Sequence, residues 1–293
     1  MNALTSHEGA VCIDGVIYRP EEATVSVFDR GFLYGDSAFE VLRTYGRKPW
    51  CESDHLVRLQ RSCEKLLIPL PVSLDQLSIE TALAVEASGF SECYLRLVIT
   101  RGEGPMGLDL ALARNPSRMI YALPLQLPAP ELYQHGAVVG LVHSGRVVDG
   151  VTPYGAKSSN YLTNMLALNQ AKQRGCYEAI IVDHAGEIVE GSTSNVFLVC
   201  GGRLITPPVE AGILEGITRK QVISIAHAMN HPTLEAKIRP ERLETCDEMF
   251  ITSSIREIVP ITRVDEITIA DGRPGPITLR LLHAYRERAN LGK

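Results

Sequence analysis

The residue with the most chemistry open to it is Lys157. It lies in Gly155-Ala156-Lys157-Ser158-Ser159-Asn160-Tyr161-Leu162, after the turn-like run Thr152-Pro153-Tyr154-Gly155 and before a helical pattern. Its nearest acidic residues in sequence are Asp149 and Glu178, and the next basic residue toward the C-terminus is Lys172. An amine kept from charge and water loses its proton more easily than a solvated one, and a free amine is what Schiff-base chemistry requires. A second candidate is Gly216-Ile217-Thr218, where glycine and then threonine open a helical pattern that runs to about residue 229. Unsatisfied N–H groups and the positive end of the helix would suit an anion there. The same residues would also serve as an ordinary helix start, and the residues alone leave both readings open.

Other patterns carry less. Gly102-Glu103-Gly104-Pro105-Met106-Gly107 matches Gly-x-Gly-x-x-Gly after a strand. Pro105 interrupts it, no long helix follows, and no acidic residue stands at the distance of about 20 residues that a ribose contact needs, so dinucleotide binding is rejected. His227 and His231 are four apart, but the intervening Glu of a zinc helix is absent and Pro232 ends the pattern, so no metal site is expected. Neither a phosphate-binding Gly-x-x-x-x-Gly-Lys loop nor a Gly-x-Ser-x-Gly elbow occurs.

The elements that must position these residues follow from periodicity. Residues 12–17 read as a hairpin about Asp14-Gly15, and 24–28 alternate like a further strand. Residues 54–67 have helical spacing, with Ser53 or Asp54 as N-cap, and 74–88 form a second helix ending at Gly89. Strands are expected at 93–100 and 119–125. The proline-rich stretch 126–136 reads as a linker between a domain of residues 1–125 and one of residues 137–293. Beyond it come a strand at 138–142 and a helix at 161–173 with Leu162, Met165, Leu166 and Asn169 along one side. A buried strand at 178–183, a turn at 184–187, a hairpin at Gly201-Gly202, a strand–loop–strand at 247–260 and an amphipathic helix at 276–290 complete the pattern.

Lys157-x-x-Asn160-Tyr161-Leu162, then Glu178-Ala179, then Glu190-Gly191-Ser192-x-x-Asn195-Val196-Phe197 occur in that order. Together they resemble the class IV, fold type IV, pyridoxal-phosphate aminotransferases, which include branched-chain and D-amino-acid aminotransferases and aminodeoxychorismate lyases. The resemblance runs from about Asp29 to about Val264. It implies a two-domain α/β (α+β) fold, with a small N-terminal domain, a larger C-terminal domain that binds pyridoxal 5′-phosphate, and the cofactor between them. It further implies that Lys157 holds the cofactor aldehyde as a Schiff base and that Glu190 faces the pyridine nitrogen. Tyr161 would donate to the ring hydroxyl and Leu214 would pack on a ring face. Arg58, the Gly216-Ile217-Thr218 cup and the Ser253-Ser254 loop would hold the phosphate, with Ser254 replacing a common Thr. Tyr34, Phe39, Val41 and Arg43 would wall the substrate pocket, Tyr34 as a candidate contribution from a neighbouring subunit of a homodimer.

Substrate type is mixed on this reading. Arg96 and Asn160-Tyr161 match branched-chain enzymes, whereas Val41 and Arg101, the latter in a carboxylate-trap context, match the D-amino-acid enzymes. A branched-chain L-amino-acid aminotransferase, exchanging an amino group between an amino acid and a 2-keto acid in ping-pong order, is the leading expectation. A D-amino-acid aminotransferase, a 4-amino-4-deoxychorismate lyase and a non-catalytic cofactor-binding protein are the alternatives.

Composition agrees with a globular enzyme. The chain has 293 residues, 45% of them hydrophobic, and a formal net charge of −5 with no basic run, which argues against nucleic acid as partner. Seven scattered cysteines without a Cys-x-x-Cys pair suggest reduced, cytoplasmic usage. The first residues lack a signal-peptide pattern, and no apolar run is long enough to span a bilayer.

Overall fold

The structure, a computed structural model, describes residues 8–113, 115–144 and 154–291. The expected start of the Lys157 turn (Thr152, Pro153), Asp149 and the first seven residues lie outside that set. Two compact units emerge: one of the residues up to Gln126 together with Ala156–Asn160, the other of those from Leu127 onward apart from that segment.

The first unit is built on β1 (Ala10–Ile13), β2 (Val16–Tyr18), α1 (Arg30–Tyr34), β3 (Ser37–Tyr45), β4 (Lys48–Pro49), α2 (Glu52–Lys65), α3 (Leu74–Ser88), β5 (Cys93–Thr100) and β6 (Ser117–Pro124). Its sheet has the order β2-β1-β6-β5-β3-β4, with antiparallel neighbours throughout. Strand alternation sends Ala38 and Leu42 of β3, with Leu95, Leu97, Ile120 and Ala122, into one core with Leu56, Leu59 and Leu77 of the helices. Phe39, Val41 and Arg43 therefore share the opposite face with Arg96 and Tyr121, because Val41 pairs with Arg96 and Arg96 with Tyr121.

Several boundaries differ from the sequence expectation. Residues 24–28 are not a strand; Val25, Val27 and Phe28 are exposed, so their alternation reflects no buried sheet face. Helix α2 starts earlier than expected. Cys51, with positive φ, occupies the N-cap, and Ser53 and Asp54 lie in the first turn.

The second unit carries α4 (Pro130–His135), β7 (Ala137–His143), α5 (Leu162–Gln173), β8 (Glu178–Val182), β9 (Ile188–Gly191), β10 (Asn195–Cys200), β11 (Arg203–Thr206) and α6 (Ile217–Ala228). It continues through β12 (Thr233–Glu235), β13 (Glu248–Ser253), β14 (Glu257–Val264), β15 (Ile267–Thr268) and α7 (Pro276–Leu291). The stretch read as a linker thus contains a helix, opened by Pro130 at a position that needs no N–H. The sheet runs β12-β11-β10-β13-β14-β7-β8-β9, with β15 on β14 and parallel pairs at β11–β12, β14–β7 and β7–β8. It is covered on both faces: Ile180 and Val182 of β8 enter one core, Ala179 and Ile181 another with Ala167 and Ala171 of α5. The face of α5 bearing Leu162, Met165 and Leu166 points outward instead.

Candidate active site

Lys157 is fixed against the first unit's sheet. Its N–H donates to Ser62 Oγ of α2 at 3.1 Å, and its carbonyl accepts from the N–H of Phe39 on β3 at 2.9 Å. Ser158 bridges Ala38, and Ser159 bonds Ser37 through both backbone and hydroxyl. The segment passes so close to Gly35 that a Cβ there would stand 2.3 Å from Asn160 Oδ1. Sequence order puts Lys157 in the second half, but these contacts attach it to strand β3.

The half-buried Lys157 ammonium lies 4.4 Å from the centre of the Phe39 ring, and the Arg96 guanidinium lies 4.0 Å from the same ring. Cations are attracted to an aromatic face, so Phe39 orients both. The expected residues Lys157, Phe39 and Arg96 are thus together, with Val41 beside Arg96.

Beneath them is a cluster that sequence reading missed. Glu40 is wholly buried and accepts from Arg58 Nε and Nη2, both at 2.7 Å, and lies 2.7 Å from His55 Nδ1. Burial opposes the charge of Glu40, yet the Arg58 guanidinium and His55 hold its carboxyl down, to about 2. Burial also keeps the His55 pKa below its ordinary value against the pull of Glu40. An ionised Glu40 can only accept, so the neutral imidazole carries its proton on Nδ1. The signals were an acidic residue inside an apolar strand and the His55-x-x-Arg58 spacing, which places both side chains on one helix face.

Arg101, expected as a carboxylate trap, is 4% exposed and bonded within the protein. Its Nε and Nη2 donate to Asp36 at 2.7 and 3.0 Å, its Nη1 to the Leu67 carbonyl at 2.6 Å and its Nη2 to that of Leu66 at 2.8 Å. It ties off the C-terminal end of α2, where carbonyls need donors. Arg43 is likewise drawn elsewhere, to Glu92 at 3.4 Å and over the Tyr45 ring at 4.1 Å. The Tyr34 hydroxyl accepts from the N–H of Gly107 at 3.0 Å, tethering the glycine-rich loop. That loop needs its glycines for compactness: a Cβ on Gly102 would meet the Asn115 carbonyl oxygen at 1.9 Å.

In the second unit, Glu190 Oε2 accepts from the N–H of Leu214 at 3.0 Å, and the Leu214 carbonyl accepts from Asn195 Nδ2 at 2.8 Å. Leu214 is therefore clamped at both ends. Gly216 caps α6 without any side-chain hydrogen bond, and the first turn, Ile217 and Thr218, is buried. A Cβ on Gly216 would come within 1.9 Å of Asn195 Oδ1. Tyr161 stands at the N-cap of α5. Ser253 and Ser254 lie where β13 gives way to a turn. The Ser253 hydroxyl accepts from Arg256 Nε at 3.1 Å, which still leaves it a proton to donate, and both serines are half-buried. Thr252 Oγ1, next to Ser253, and Ser194 Oγ, next to the Asn195 that pairs with Thr252, are buried without partners.

Comparison with known proteins defines the class of enzyme to which these features belong. The family described as amino-transferase class IV matches residues 37–264, and the chain belongs to it. The D-alanine aminotransferase of Listeria monocytogenes is 32% identical over 286 residues, covering 94% of this chain and 94% of that protein. The branched-chain aminotransferase of Thermoproteus uzoniensis, solved with norvaline, has a TM-score of 0.88 and 35% identity, covering 96% and 95% of the two chains. The branched-chain amino acid aminotransferase of Thermobaculum terrenum, solved in its PLP-bound holo-form, has a TM-score of 0.87 and 26% identity, covering 98% and 96%.

Proposed function

We propose that the protein is a pyridoxal-phosphate-dependent aminotransferase of the branched-chain L-amino-acid type. What supports the substrate choice is that Arg96 lies on the ring of Phe39, as Lys157 does, while the printed bonds of Arg101 go to Asp36 and the end of α2.

The residues present fit the cofactor. The Gly216 position admits no side chain, the first turn of α6 has no side-chain cap, and orphaned hydroxyls lie near the Ser253-Ser254 turn. The Ile217 and Thr218 amides, the Thr218 hydroxyl, Ser253, Ser254 and Arg58 would hold the phosphate. Glu190 would face the ring nitrogen and keep it protonated, with Tyr161 on the ring hydroxyl and Leu214 on the ring face. When bound, the cofactor supplies an aldehyde for amines and a ring that takes up electrons from the substrate Cα. Lys157 would hold that aldehyde and, once displaced, would carry the proton between Cα and the cofactor as acid and base. Arg96 would orient the substrate carboxylate, and Phe39 and Val41 would shape the apolar side of the pocket.

The exposed apolar faces of the chain support a homodimer. All seven cysteines are free, which supports the cytoplasm as the compartment. Among the described residues, no helix is long and apolar enough to cross a membrane.

The test is a visible absorbance titration of the cofactor-loaded protein. L-leucine or L-valine should bleach it and D-alanine should not, and borohydride reduction should fix the cofactor on Lys157 by mass. Bleaching by D-alanine alone would overturn the L-type assignment, and a protein that takes up no cofactor would overturn the whole reading.

A further inference from the structure

Glu178 and Arg256 lie outside the roles assigned above, yet the buried carboxylate and the half-buried guanidinium form a many-bonded pair in the second unit. Glu178, 0% exposed at the start of β8, accepts from the Ser192 hydroxyl, from Thr193 Oγ1 at 2.9 Å, from Arg256 Nη1 at 2.8 Å and from the N–H of Ala179 at 3.1 Å. Arg256 Nη2 also donates to Thr193, to Oγ1 at 2.7 Å and to the carbonyl at 3.2 Å, and its Nε reaches Ser253 Oγ at 3.1 Å. The guanidinium lies 5.7 Å from the Tyr177 ring, and the Arg256 carbonyl accepts from the Tyr133 hydroxyl at 3.1 Å.

These bonds join two loops. The first, between β9 and β10, begins two residues after Glu190 and is further held by Asn164 Nδ2, which donates to the Ser192 carbonyl at 2.6 Å. The second, between β13 and β14, contains Ser253 and Ser254. Glu178 gathers both hydroxyls of the Ser192-Thr193 turn, and its arginine reaches across to the other loop. A satisfied buried polar network resists displacement of any member, because each lost bond leaves a buried group unmet.

We propose that Glu178 and Arg256 are positioning residues that fix the ring-nitrogen carboxylate (Glu190) and the phosphate-binding turn (Ser254) at the spacing of one cofactor. The inference rests on the cofactor reading above. Glu178→Gln, Arg256→Met and Arg256→Lys would be compared with wild type by equilibrium dialysis against pyridoxal 5′-phosphate and by thermal unfolding of the apo-proteins. The expected result is a rise in cofactor Kd of about tenfold or more for Glu178→Gln and Arg256→Met, by analogy with the loss of partners behind metal ligands, with Arg256→Lys between these and wild type. A Kd within twofold of wild type, even with a lowered Tm, would overturn the proposal and leave the aminotransferase reading intact. A wild-type protein that binds no pyridoxal 5′-phosphate would overturn both. If Glu178→Gln does not fold, Thr193→Val decides the matter by the same readout, since it removes the Thr193 hydroxyl from both Glu178 and Arg256 and retains the ion pair: an unchanged Kd overturns the proposal and a raised one supports it.

Discussion

Arg96 and Arg101 stand five residues apart, on a strand and at its exit, and their surroundings give them different work. Arg96 is half-buried on the ring of Phe39. Arg101 is held by Asp36, whose carboxyl burial would raise but which hydrogen bonds from Arg101 and Arg30 hold below the usual range. Glu40 shows the same contest more sharply. Its carboxyl is held to about 2, against an ordinary value of 4.5, so its contribution to stability is complete above about pH 4.5 and is lost as pH falls toward 2. His55 is depressed by burial below 6.5; the unfolded chain takes up a proton that the folded one refuses, so this contribution is also lost as pH falls, beginning near 6.5. Urea midpoints measured from pH 8 to 3 should therefore fall in two stages. Glu40→Gln should flatten the lower stage and cost about 3–5 kcal/mol at pH 7, because Arg58 is left buried without its counter-charge. An unchanged acid limb in that variant would contradict this account.

Among the elements, α6 shows how a helix start becomes a binding feature. Asn195, buried on β10, uses Nδ2 to hold the Leu214 carbonyl, and its Oδ1 occupies the space a side chain at Gly216 would need. Gly216 has φ −68°, a conformation open to any residue, so alanine there would ordinarily be neutral or stabilising. Here it must push Asn195 off Leu214. Gly216→Ala is expected to destabilise the protein by about 1–3 kcal/mol, as overpacking does, and to weaken pyridoxal 5′-phosphate binding. Thermal unfolding and dialysis measure the two effects separately; a stabilised variant with unchanged cofactor affinity would show that the close approach to Asn195 has no consequence.

For the molecule as a whole, the unexplained surface is apolar. Leu162, Met165 and Leu166 are 67%, 64% and 60% exposed on one face of α5. Such a patch on a helix is the usual mark of a protein partner, and a second copy of the chain is the proposed one. Met165→Glu combined with Leu166→Glu should convert a dimer to a monomer in sedimentation velocity, leaving the circular dichroism of the fold unchanged. A wild-type protein that sediments as a monomer at micromolar concentration would refute the homodimer.

The sequence by itself determined the elements whose periodicity is local. The helix at Leu74–Ser88, the strand at Cys93–Thr100 and the Gly201-Gly202 turn stand at their expected places, because capping, alternation and glycine conformation act within a few residues. Ordered motifs also made the family legible. Tertiary structure alone decided what depends on distant partners: that Lys157 is stitched to β3 and α2, that Glu40 underlies Arg58, that Glu178 reaches Arg256, and that Arg101 is engaged by Asp36 and the Leu66 and Leu67 carbonyls. Those pairs are separated by 18 residues or more, and no local pattern records which buried charge will meet which. The alternation at residues 24–28 misled for the complementary reason: it satisfies a strand's period, but no neighbouring strand supplies the pairing that would make it one.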